Sequence, residues 1–151
     1  MNQGGLMSSE TNKAAVRRCW EEAWNMGDVT LLDELYSPDS VHHFGAKPAR
    51  FGPDQRAAMV KAWRIAIPDY HCHIEDLVAE GDLVVMRLRF TGTHSAAPLA
   101  ISGRAAAPRN RAFEESELLM FRFRDGKILE SWATWDRLSF LEQLGAIDKP
   151  S

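Results

Sequence analysis

Residues 113–145, FEESELLMFRFRDGKILESWATWDRLSFLEQLG, hold the reading that decides the fold. Phe121-Arg122-Phe123 and Lys127-Ile128-Leu129 flank Arg124-Asp125-Gly126, which reads as two strands around a three-residue turn with Gly126 in the left-handed position. Side chains alternate between the faces of a strand, so this turn sets a register. Phe123 is expected opposite Lys127, Phe121 opposite Leu129, Leu119 opposite Ser131, Glu117 opposite Ala133 and Glu115 opposite Trp135. One face then carries Phe121, Phe123, Leu129, Ala133 and Trp135 and is the core face. Glu117 shares it, and an ionisable group so placed needs a partner or a function.

Outward from this hairpin, Asp136 opens a last helix holding Leu138, Phe140, Leu141 and Leu144, stopped by Gly145. Upstream, Val16, Trp20 and Trp24 recur at helical spacing within Thr11 to Met26, and Leu31, Leu32 and Leu35 follow Asp28 in a short second helix ended by Pro38. Val41 to Phe44 reads as a short strand. Gly52-Pro53 begins a third helix with Met59, Val60, Trp63 and Ile67. Tyr70 to Ala79 and Leu83 to Thr91 form a hairpin about Glu80-Gly81-Asp82. Gly92 to Asn110 shows neither period and is expected to be a long loop or lid. Residues 1–9 are expected to be a loose tail, 10–147 a single domain and 148–151 a second short tail.

A chain of 151 residues suits one domain with a real core. Its 45% apolar and 26% charged residues exclude a disordered or fibrous chain, and its net charge of −3 argues against a nucleic-acid or membrane-surface binder. Cys19 and Cys72 lack framework spacing and read as reduced, partly buried thiols. With no leader-like start and no stretch of membrane-span length, the expected location is the cytoplasm. The outer face of the last hairpin carries Leu118, Met120, Ile128 and Trp132, too apolar for bare solvent, so a homodimer through that face is expected.

Five segments carry a resemblance: CWEEAWNMGD at 19–28, IPD at 67–69, IEDLVAEGDLVV at 74–85, TGTH at 91–94 and FRDGKILESWATWDRL at 123–138. In this order of elements they resemble the SnoaL-like polyketide cyclases of the nuclear transport factor 2-like superfamily. The resemblance implies an α+β fold, a cone-shaped barrel of curved antiparallel sheet packed against three N-terminal helices, with a short C-terminal helix. It also implies a deep pocket and a cofactor-free aldol closure of an aromatic polyketide ring. The family's acid/base aspartate lies on the last strand, in a pattern like Trp-Asp-x-Trp-Asp. Here that segment is Trp132-Ala133-Thr134-Trp135-Asp136, so Ala133 holds the aspartate's place. An assisting His corresponds to Leu119, an assisting Gln to Glu117, and a polar position on an early strand to His43.

Glu117 therefore has two readings. As chemistry, burial raises its proton affinity toward that of a useful base beside the place left by Ala133. As structure, it pairs with a core-facing Arg87 or Arg89. Of His42 and His43, one points inward, and the resemblance favours His43. Asp136 has a proton-transfer reading at the pocket rim and a helix-cap reading, and the cap is favoured. His71 and His73, with His94 as a conceivable third ligand, do not amount to a metal site, and no metal is expected. Arg104, Arg109 and Arg111 read as a solvated loop.

No Ser-His-Asp set, phosphate loop or nucleotide fingerprint occurs, so no cofactor is expected. The expected function is cofactor-free acid/base ring closure or isomerisation of a hydrophobic, polycyclic or aromatic small molecule. Glu117 is its base and His43 the polar partner; Trp20, Trp24, Trp63, Glu115, Leu119, Ala133 and Trp135 are the substrate-binding residues. The alternatives are cofactor-independent oxygenation of an aromatic polyketide and a non-catalytic carrier or sensor.

Overall fold

The computed structural model describes residues 3–151. Helix α1 (Gln3–Arg18) runs into a π-helical turn, Cys19–Trp24, and a short 3-10 turn (Val29–Leu31) leads to α2 (Leu32–Leu35). Strands β1 (Tyr36–Phe44) and β2 (Lys47–Arg50) precede α3 (Pro53–Ala66). Then come β3 (His71–Glu80), β4 (Leu83–His94), β5 (Leu99–Ile101), β6 (Arg104–Ala106), β7 (Arg111–Arg124), β8 (Lys127–Trp135) and α4 (Arg137–Gln143). The main sheet has six strands in the order β2-β1-β8-β7-β4-β3, and β5-β6 is a separate hairpin. All its pairs are antiparallel except β1 with β8. The result is the expected α+β cone, a curved sheet with helices against its inner face.

Helix α1 begins earlier than Thr11. Of the expected tail 1–9, residues 1 and 2 lie outside the described residues, and Gln3 onward is helix. Buried positions continue the inward stripe of Val16 and Cys19 back through Asn12 and Ser9. Because Asn12 and Ser9 are polar, an apolar periodicity could not find them. At the other end Asn25 clamps the helix to β3: its side chain donates to the Cys72 carbonyl at 2.9 Å and accepts from the Cys72 N–H at 2.8 Å.

The last hairpin turns more tightly than expected. Arg124 pairs with Lys127 around the two residues Asp125 (φ 50°) and Gly126 (φ 76°), the two positive φ values of a type I′ turn. A bulge then follows, since Phe123 pairs with Ile128 but Arg122 with Glu130. Consequently Phe121 faces Ser131, Leu119 faces Ala133 and Glu117 faces Trp135, two residues away from the expected register. A shift of two keeps every β7 side chain on its expected face. The bulge does exchange two residues on β8: Ile128, not Leu129, is the fully buried one.

The expected long loop is structured. Strand β4 continues to His94, and the β5-β6 hairpin turns at Ser102 (φ 51°) and Gly103 (φ 76°), burying Leu99, Ile101 and Ala106. Strands of three residues rich in alanine carry too little alternation to be recognised. Gly92 is where the chain after α3 meets the sheet: a Cβ there would lie 2.3 Å from Ile67 Cγ2. Between sheet and helices, Phe140 of α4 is fully buried among Phe113, Trp135, Trp63 and Phe90. No helix among the described residues is long and apolar enough to cross a membrane.

Candidate active site

Helices cover only part of the inner sheet face, and a cavity of about 350 Å³ lies between them. The π turn supplies Cys19, Trp20 and Trp24, α3 supplies Arg56, Met59, Val60 and Trp63, and the β5-β6 hairpin covers it with Ala100, Ile101 and Ser102. From the sheet come His42, Glu117, Leu119, Ser131, Ala133 and Trp135. Trp20, Trp24, Trp63, Leu119, Ala133 and Trp135 thus sit where a ligand in this cavity would touch them. Its size and mainly apolar lining are those of a small-molecule site.

Glu117 is the acid of this cavity, and neither reading of it as an ion pair survives. Arg87 is bound to Asp76 at 2.6 Å, and Arg89 to Glu75 at 3.1 Å and Glu114 at 3.4 Å, all on the opposite face of the sheet. Among the described residues the Glu117 carboxyl group has no hydrogen bond or salt bridge. Part of its side chain stays accessible because it borders the cavity, yet the surrounding protein replaces most of its water. Burial pushes its pKa up to about 8, against the opposing pull of the Arg137 guanidinium. A carboxyl group of this kind is mostly protonated at neutral pH. Its ionised fraction is a far stronger base than an ordinary carboxylate.

His42, not His43, faces the cavity. His43 lies on the outer sheet face, stacked on Trp132 at 4.9 Å with Nε2 2.8 Å from Glu130 Oε1. Adjacent strand residues point to opposite faces, so only one of the pair could be inward, and β8 pairs His42 with the fully buried Ser131. The expectation for Glu115 is also corrected. It is buried outside the cavity lining, where Gln143 of α4 donates to its Oε1 at 2.6 Å.

Asp136 is a cap. Its Oδ1 accepts the Ser139 N–H at 2.8 Å, and its side chain is exposed outside the cavity lining. Asp136→Asn is expected to leave stability within about 0.5 kcal/mol, whereas Asp136→Ala costs about 1 kcal/mol, measurable by urea denaturation. Of the three histidines weighed as ligands, His94 is fully buried and donates through Nε2 to the Ala97 carbonyl at 2.7 Å. Among the described residues no cluster of three His, Cys, Asp or Glu side chains is placed to hold a metal.

Sequence reasoning missed Arg56, His42, Ser131 and Arg137. For Arg56 a signal existed: it precedes Met59, Val60 and Trp63 at helical spacing and so shares their inward face. Arg137 had none, because its approach to the cavity depends on how α4 folds back. Its Nη1 donates to Ser102 Oγ of the covering hairpin at 3.2 Å.

The fold defines the class, an α+β cone of the nuclear transport factor 2-like kind. Within that class, the chain belongs to the SnoaL-like polyketide cyclase family, whose model matches residues 14–144. Among solved structures it is similar to IdmH from Streptomyces antibioticus, a candidate polyketide cyclase, with 31% identity over 89% of this chain and 98% of that one and a TM-score of 0.70. TsrD from Streptomyces laurentii is 30% identical over 89% of this chain and 97% of its own, with a TM-score of 0.73. AclR from Streptomyces galilaeus, a candidate hydroxylase, is 24% identical over 95% of this chain and 86% of its own; its TM-score of 0.77 speaks for the fold alone. No curated protein matches.

Proposed function

We propose that the protein binds a hydrophobic polycyclic small molecule in this cavity and rearranges it by cofactor-free acid/base chemistry, with Glu117 transferring the proton. The unpaired Glu117 carboxyl group on an otherwise largely apolar wall carries this reading. Ala133, at the place the resemblance gives to an aspartate, lines the same wall one pair along the hairpin. Ionised Glu117 takes a proton from a carbon beside a carbonyl; the resulting enolate attacks a second carbonyl of the same molecule. The new alkoxide takes the proton back. One C–C bond forms, no atom is gained or lost, and no cofactor is required. His42 replaces His43 as the imidazole available to the ligand.

A tricyclic polyketide methyl ester with an uncyclised side chain, incubated with the protein and analysed by mass spectrometry, tests this. The expected product is an isomer of unchanged mass. A gain of one oxygen would instead indicate the oxygenase alternative, and tight binding without product would indicate a carrier.

A further inference from the structure

Arg56 is a buried cation that meets no counter-ion among the described residues. Its residue is 6% exposed, it forms no salt bridge among the described residues, and its Nε lacks any hydrogen-bond partner. The guanidinium lies over the Tyr36 ring at 3.9 Å and 5.1 Å from the Phe51 ring centroid, and one Nη2 hydrogen bond reaches Ser131 Oγ at 3.0 Å. Removing such a charge from water is costly without a partner, and aromatic faces offset only part of that cost.

The chemistry of its two neighbours fixes the proton order around Ser131. Arg56 can only donate, so Ser131 Oγ accepts from it and its own proton is free for His42 Nδ1, 2.8 Å away. Burial and the nearby Arg56 lower the His42 pKa to about 4, so the ring is neutral and its other nitrogen, Nε2, carries the hydrogen. Arg56 and His42 are thus both donors on one part of the wall. Among the described residues no anion is built in to meet them: Glu117 is the one carboxyl group there that lines the cavity, and burial keeps the Cys19, Tyr36 and Tyr70 protons in place. Arg137 adds a second cation to the lining.

We propose that Arg56, Ser131 and His42 form an anion-binding subsite, which takes a carboxylate at one end of an elongated polycyclic aromatic ligand. Ser131 and Trp135, the partner of Glu117, are four residues apart on β8, about 13 Å along the strand. A ligand anchored at Arg56 therefore reaches Glu117 with its far end. The proposal rests on the cavity being the small-molecule site, but it concerns binding and not turnover, so the two can fail separately.

Anthracene-2-carboxylate and its methyl ester, titrated at pH 7 by their fluorescence, provide the test. The carboxylate is expected to bind at least tenfold more tightly than the ester. Arg56→Met should reduce that ratio below threefold with the ester affinity nearly unchanged, while Arg137→Gln should preserve most of it. Circular dichroism checks folding, and if Arg56→Met does not fold, His42→Phe is expected to reduce the ratio to below threefold. Equal binding of acid and ester by the wild type overturns the subsite, as does a preference that survives in a folded Arg56→Met or His42→Phe variant or disappears in Arg137→Gln. Binding of neither probe overturns both the subsite and the reading of the cavity.

Discussion

Glu117→Gln is expected to lower turnover by about 10²- to 10⁴-fold, the range that a positioned proton-transfer group contributes. Glutamine keeps the shape and polarity of the side chain and removes only the transferable proton. Binding of the neutral anthracene ester should therefore change little. In the wild type, turnover should rise with pH through a midpoint near pH 8 and level off about one unit or more above it, where the base form of Glu117 is nearly fully populated. Unchanged turnover in the variant would remove Glu117 from the chemistry whatever the product.

The same substitution has a signature that needs no substrate. Glu117 holds its proton to about pH 8 when folded, against an ordinary value of 4.5, so between these limits the folded chain binds more protons than the unfolded one. Stability is then lost as pH rises through the window, by up to about 1.4 kcal/mol per pH unit, and is unaffected by this group below it. Urea denaturation at pH 5 and pH 8 should show the wild type weakening relative to Glu117→Gln. Parallel behaviour of the two proteins would mean that the carboxyl group is ordinary and hydrated.

Phe140→Ala is expected to cost about 3–5 kcal/mol, a large share of the stability of a domain this size. The ring is fully buried and lies 4.8 Å from Phe113, 5.2 Å from Trp135 and 5.6 Å from Trp63, centroid to centroid. Trp135 and Trp63 also line the cavity, so the space left by Phe140 would loosen one of its walls. Equilibrium denaturation measures the loss, and Phe140→Leu should recover most of it because it refills the volume. A loss below about 1 kcal/mol would show that α4 is only loosely docked. In that case Arg137 would not be held firmly at the cavity.

Long periodic segments were legible in the sequence. Helix α3, the β3-β4 hairpin and the β7-β8 hairpin follow from apolar spacing and turn residues, and Glu117 is placed on the inner face by alternation alone. That inference survived an error in register, since the type I′ turn and the bulge together shift the pairing by two and preserve parity. Leu129 was less protected: it lies on the bulge itself, where alternation breaks. The β5-β6 hairpin was hidden because its strands are only three residues long, and the start of α1 because its buried positions, Ser9 and Asn12, are polar.

By itself the sequence determined the class of fold and an inward acid, through local periodicity and turn residues, and the family, through the resemblance of five short segments. Only the tertiary structure decided which histidine joins that acid. It also withdrew Arg87 and Arg89 as partners and brought Arg56 from α3 against Ser131 of β8. These outcomes depend on pairings between distant segments, β1 with β8 above all, and on which charges water can still reach. Neither the pairing of remote strands nor the desolvation of a single side chain leaves a mark in the spacing of its neighbours.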